Sequence, residues 1–308
     1  MKEQLKQKLI YIVKASIGLF LVMWILSRVD RQRFFHYFTS ISTFGFIEIL
    51  LFSWLSLLVQ FRCWKFLVES NSIHFEMKDL IPSFFSGFTF RLLLPGGHAE
   101  FGKIFLLPGR KRGKAVAFGM EKFFQGIIKI FLMVIVIPFS FPQYSVYAMI
   151  VILLLILVFI FFPNIPYLRD LQEKKVNNYK VFIITMIYSL SVFSIMSIQY
   201  YILLNQVNTI SLVATFHTVI YLFGSGVIPI SISGLGVREG LAVYFLKMYG
   251  IPAAHAVATS LFLFTINTVI PALVGIYFIY KKRSHLKEIK NTVLSTRTIL
   301  KNIRNGSR

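Results

Sequence analysis

From Ala148 to Phe162 the chain runs through fifteen consecutive apolar or aromatic residues with no charge and no break. A chain holding several such runs must satisfy its backbone hydrogen bonds internally while its side chains face hydrocarbon, and helices do both. Six segments approach the roughly 20 residues that a spanning helix needs. They run over about Ile10–Leu26, Phe44–Phe61, Ala115–Phe139, Ser145–Phe162, Val181–Leu204 and Ala256–Tyr280. The first follows Lys2, Lys6 and Lys8 as a signal peptide would, yet has no small-residue cleavage site and reads as a retained span. Composition agrees: 15% of residues are charged, against about 25% in soluble domains. A soluble enzyme and a disordered chain are both excluded. One cysteine, Cys63, rules out an intramolecular disulfide and any cysteine-built zinc or iron–sulfur site.

Two further regions are apolar but broken. Leu80–Leu107 contains Pro82, Arg91, Pro95, Gly96, Gly97, Glu100, Gly102 and Lys103, and Ser211–Met248 contains Gly224, Gly226, Pro229, Gly234, Gly236, Arg238, Glu239 and Gly240. Each offers one apolar arm, a glycine- and proline-rich corner and a second short arm, which predicts a helical hairpin dipping partway into the bilayer. The predicted fold is an all-α polytopic membrane helix bundle of six full spans plus two inverted re-entrant helical hairpins. Basic residues set its orientation. Arg110, Lys111, Arg112 and Lys114, then Arg169, Lys174, Lys175 and Lys180, and nine Lys and Arg after Tyr280 share one side with the N-terminus. The positive-inside rule makes that side cytoplasmic. Residues 140–144, 205–210 and 250–255 of the other side carry no Lys, Arg, Asp or Glu, and the first loop, with Arg28, Arg31 and Arg33, is the discordant one.

The broken regions also resemble each other. Gly97-x-x-Glu100 precedes Ala115-Val116-Ala117 by a short arm, and Gly236-x-x-Glu239 precedes Ala256-Val257-Ala258 in the same way. Three crossings between them, an odd number, would place the repeat units, about 80–139 and 211–280, upside down relative to each other. Inverted repeats with discontinuous helices belong to transporter architectures. The chain thus divides into a membrane domain, 1–280, and a basic tail, 281–308.

Gly234-Leu235-Gly236-Val237-Arg238-Glu239-Gly240, preceded by Pro229-Ile230-Ser231, resembles the most recognisable motif of the lysylphosphatidylglycerol synthase transmembrane family. Pro95 to Lys103 resembles its first motif, and Glu121-Lys122 resembles its Glu-Arg pair. The resemblance covers about residues 10–280 and departs from the family at Ala99, Lys103, Lys122 and in the absence of an arginine over Leu261–Phe264. It implies a flippase-like domain that moves a lipid such as an aminoacylated phosphatidylglycerol. In full-length members a soluble domain transfers lysine from tRNA to lipid. Only 28 residues follow Tyr280, so the expectation is transport rather than a phosphatidylglycerol lysyltransferase activity. That enzyme, in lipid modification and cationic peptide resistance, and a non-transporting lipid-binding scaffold are the alternatives.

Glu100 and Glu239 are the first candidate headgroup-binding residues, because an ionisable group at the membrane centre costs about 2.5 kcal/mol or more unless it faces a cavity or a partner. Lys103 and Arg91 are candidates beside them, and the competing reading is an internal ion pair, with Lys103 or Arg91 for Glu100 and Arg238 for Glu239. Arg238 offers a planar fork for a phosphodiester, or else pairs with Glu239. Glu121 is a further candidate, while Lys122 and Lys129 would line the cavity or snorkel. Gly96, Gly97, Gly234 and Gly236 allow close backbone approach to a ligand or simply turn the hairpins. His98 is a candidate proton carrier or a hydrogen-bonded cap. Gly97-x-x-x-x-Gly102-Lys103 mimics a phosphate loop, but Ile104 replaces the magnesium-binding hydroxyl and no strand precedes it. No metal site and no cofactor is expected, since Asp30, Asp79 and Asp170 are isolated. The expected partners are a membrane phospholipid and, through Lys287, Lys290, Arg297, Lys301 and Arg304 on one face of a tail helix, the anionic inner leaflet. Nucleic acid is not expected, for want of aromatic interleaving, and self-association stays open.

Overall fold

The computed structural model describes residues 16, 20–71, 73–93, 99–108, 111–161, 178–226 and 234–282. Every regular element among them is helical. In chain order these are α1 (20–28), α2 (Arg31–Thr39), α3 (Thr43–Ser70), α4 (Met77–Leu93), a 3₁₀ arm (Ala99–Leu106), α5 (Lys111–Ser140), α6 (Ser145–Phe161), α7 (Asn178–Leu204), α8 (Leu212–Ser225) and α9 (Val237–Lys247). The last, α10, runs over Ala253–Lys281 and contains a π turn at Thr265–Val269.

Four helices, α3, α5, α7 and α10, are long and apolar enough to cross a membrane. The six expected crossings are met only in part. The first is described only at residue 16 and from residue 20 onward, and α6 spans 17 residues in its described part. The tail expected to form a surface helix, 283–308, lies outside the described residues, as do Gly96, Gly97 and His98.

Helix starts follow local chemistry. The Ser42 hydroxyl accepts from the Gly45 amide at the start of α3, and that of Ser211 accepts from the Ala214 amide at the start of α8. The first loop, discordant in charge, is itself partly helical. It contains α2, started by the Asp30 carboxylate, which accepts from the amides of Gln32 and Arg33. Phe34, Tyr37 and Phe38 recur at helical spacing, with Phe34 packed beside Val29 and Val257 and Phe38 against Phe262, and one polar side chain adds a deeper anchor. Tyr37, fully buried, donates to the Leu203 carbonyl at 2.9 Å and shares a 2.6 Å hydrogen bond with Thr259.

The packing has the pattern that a hydrocarbon solvent demands. Ser83, Ser86, Gln199, Thr215, Thr218, Thr259 and Ser260 are buried, while Leu51, Trp54, Phe139, Tyr147 and Val213 lie exposed. Without a hydrophobic drive between helices in lipid, association rests on close packing and interhelical hydrogen bonds. The contact of α4 with α10 shows both. Thr89 donates to the Ala272 carbonyl at 2.7 Å, and Gly275 sits where a Cβ would collide with the Phe85 carbonyl and the Thr89 hydroxyl.

Contacts at the two ends fix how the helices run. At one end Ser42 donates to Gln206, Asn208 shares a hydrogen bond with His255, and Ser140 is linked through His217 to Tyr249. The start of α3, the ends of α5, α7 and α9 and the starts of α8 and α10 therefore meet there. At the other end Lys282 donates to Asp79 and Lys114 to the Leu107 carbonyl, which joins the end of α10 and the starts of α4 and α5. The 3₁₀ arm packs back along α4, where Ser83 donates to the Lys103 carbonyl. Likewise α9 packs against α8.

Candidate functional site

Between these two folded-back regions lies a cavity of about 410 Å³ whose wall includes Arg91, Glu100, Lys122, Lys129, Gly234 and Arg238. Such a volume is in the range of small-ligand sites. Each charged group reaches the wall for a local reason.

In the first region Arg91 lies in the last turn of α4 and Glu100 in the first turn of the 3₁₀ arm. Glu100 accepts from Lys122 of α5 at 2.5 Å, and its other oxygen lies 3.6 Å from Arg91. Arg91 also donates to Thr268 at 3.2 Å and stands over the Phe88 ring. A second pair sits behind this one. Lys103 donates to Glu121 at 2.5 Å, with the lysine ammonium 3.7 Å from the Trp64 ring centroid. Successive residues of an α-helix point about 100° apart, the angle set by 3.6 residues per turn. Glu121 is therefore directed into the core and Lys122 toward the cavity. Glu121 and Lys103, read from sequence as facing a headgroup, are buried against each other and are absent from the wall.

The second region is organised by two glycines. Gly234 and Gly236 have φ of 76° and 82°, backbone that residues with a Cβ rarely adopt. The turn points the Gly236 amide at Glu239, which accepts from it at 2.7 Å, so the motif starts its own helix. Glycine has no side chain to reciprocate, and only this half of a capping box exists. The other Glu239 oxygen accepts from Arg238 at 2.6 Å and from Ser260 at 2.9 Å. Glu239 has no exposed surface and does not line the cavity. Its carboxylate holds Arg238, whose guanidinium stacks 4.7 Å from the Phe264 ring centroid and lines the wall.

Three features were not singled out from sequence. Ser260 accepts from Arg238 at 3.0 Å and donates to Glu239, closing a three-residue cluster. Gln199 and Asn267 exchange hydrogen bonds across the wall, the latter presented by the π turn. A wider turn of this kind often marks functional sites, and Pro271, which has no amide hydrogen, follows it here. Lys122 and Lys129 were noted only as lining or snorkelling. Both are on the wall.

Chemically, the cavity gathers guanidinium, ammonium and amide donors inside an otherwise apolar bundle, an arrangement suited to a polar anionic group. No curated protein and no solved structure matches the chain. The family profile described as "Lysylphosphatidylglycerol synthase TM region" matches residues 11–275. With so much of the sequence covered, and with its apolar helices, the chain is a multi-pass membrane protein that belongs to the lysylphosphatidylglycerol synthase TM region family.

Proposed function

We propose that the protein is a lipid translocase. It moves a polar-headed, phosphate-bearing lipid between leaflets, with the headgroup in the central cavity and the acyl chains in the bilayer. The observation that carries this reading is the cavity itself: one charge-lined space, walled by residues of both broken regions, inside a bundle whose outer face is apolar. At about 410 Å³ it fits a headgroup and excludes two acyl chains. Arg238 offers the headgroup phosphate a guanidinium already oriented by Glu239 and Ser260. The broken regions act as re-entrant hairpins from opposite sides, and rocking of the two units about the cavity would expose it to each leaflet in turn. Both termini lie in the cytoplasm of a bacterial cell.

Reconstitution into liposomes with headgroup-labelled lipids tests this by following label reachable from outside with time. The protein should accelerate exposure of at least one phosphate-bearing lipid. Arg238→Lys keeps the charge against Glu239 but loses the planar fork, and should slow that exposure by about tenfold, the worth of one charge-assisted hydrogen bond. No acceleration for any lipid, in protein that is folded and inserted, would remove the translocase reading.

A further inference from the structure

The cavity wall carries four cations, Arg91, Lys122, Lys129 and Arg238, and one carboxylate, Glu100. Glu239 adds a second negative charge directly behind Arg238. The excess of positive charge is localised. Arg91 and Lys122 share Glu100, and Arg238 has Glu239. Lys129, in the middle of α5, faces an aromatic ring instead, its ammonium 4.8 Å from the Phe223 centroid. No carboxylate among the described residues stands against it. Asp30, Glu69, Glu76, Asp79 and Glu121 each pair with another cation, and Glu48 is not on the wall. Residues 94–98 and 227–233, which adjoin the cavity in sequence, contain no Asp or Glu. Gly226 lies beside this ammonium, where a Cβ would come into ordinary contact with Nζ at 3.4 Å.

An ammonium at membrane depth is costly, and an aromatic face offsets only part of the cost. We infer that the counter-ion of Lys129 is the ligand: a phosphate oxyanion binds this ammonium, and the cavity selects headgroups of net negative charge. This inference rests on the translocase reading for the ligand's being a lipid, and on the charge arrangement for its sign. It excludes aminoacylated phosphatidylglycerol as the preferred cargo, because the added lysine reverses the headgroup charge and the carboxylates that would receive an ammonium are already engaged.

Binding to purified protein in detergent tests the inference apart from transport. The probes are phosphatidylglycerol, phosphatidylethanolamine and lysyl-phosphatidylglycerol, with glycerol phosphate and inorganic phosphate as soluble competitors. Phosphatidylglycerol should bind about tenfold more tightly than the other two lipids, and Lys129→Gln should weaken phosphatidylglycerol by about that factor, as expected for one charge-assisted contact. Lys129→Arg should restore it, which separates loss of charge from loss of fold. Equal or tighter binding of lysyl-phosphatidylglycerol, or wild-type affinity in folded Lys129→Gln protein, would overturn the inference. Lys129-dependent binding of inorganic phosphate without any lipid would overturn its lipid part and assign the site to a soluble anion. Lys129-dependent lipid binding without movement in vesicles would support this inference while removing the translocase reading. Lipid movement indifferent to Lys129 would do the reverse.

Discussion

Glu239 and Arg238 bring an acid and a base together where water does not reach the acid, and their value depends on staying paired. Removing one member of a buried pair strands the other charge, at a cost of about 3–5 kcal/mol. Glu239→Gln keeps an acceptor for the Gly236 amide but leaves Arg238 without its anion. It should lower the thermal unfolding temperature in detergent far more than Ser260→Ala, which removes one neutral partner worth about 1 kcal/mol. Replacing both charged residues by apolar ones, Arg238→Met with Glu239→Leu, should recover most of the loss. A Glu239→Gln protein as stable as wild type would show that Arg238 finds its balance elsewhere. The same argument separates Glu121 from the cavity. Because Lys103 and Glu121 are buried against each other behind Trp64, Glu121→Gln should destabilise by a similar amount yet leave the order of lipid preference unchanged in binding assays.

At the scale of elements, backbone geometry decides what the sequence permits. Gly236 starts α9 at φ 82° and ψ −47°, and an alanine there carries strain of about 1–3 kcal/mol. Gly236→Ala should therefore lower stability and loosen Arg238, measurable as weaker binding of phosphatidylglycerol even where the protein still folds. Gly275→Leu acts elsewhere. It would push α10 off α4 at the Phe85 carbonyl, an overpacking expected to cost about 1–3 kcal/mol or more, and unfolding in detergent reads it directly. These elements were unequally legible in sequence. The long helices were visible because lipid demands long apolar runs, and the turn at Gly234 and Gly236 because glycine next to charge has few other uses at membrane depth. α2 was hidden because its position depends on Tyr37 reaching Leu203 and Thr259, contacts more than 160 residues distant. The π turn was equally hidden, since only the placement of Gln199 and Arg91 against Asn267 and Thr268 reveals what it presents. The choice between Glu121 and Lys122 for the cavity needed the rotation of α5 about its axis, which neighbouring charges alone do not specify.

For the whole molecule, the remaining quantity is which end faces the cytoplasm. One end joins Ser42, Gln206, Asn208, His217, Tyr249 and His255, and the other joins Asp79, Lys114 and Lys282. The second end collects Lys65, Lys78, Lys111, Arg112, Lys114, Lys180, Lys281 and Lys282, whereas the first carries Arg28, Arg31 and Arg33 around the start of α2 and Lys247 at the end of α9. Basic residues next to the ends of spans favour the cytoplasmic side, and the larger group prevails when groups compete. The end bearing Lys282 should thus be inside. Cysteines placed singly at Thr209 and Lys281, both exposed, on a Cys63→Ala background decide the matter. Thr209→Cys should react with a membrane-impermeant maleimide in intact cells, and Lys281→Cys only after the membrane is opened. The reverse pattern would invert the molecule and place the arginines of α2 in the cytoplasm. Labelling of both positions from outside would contradict the odd number of crossings between them, and with it the opposed entry of the two broken regions that the proposed alternating access requires.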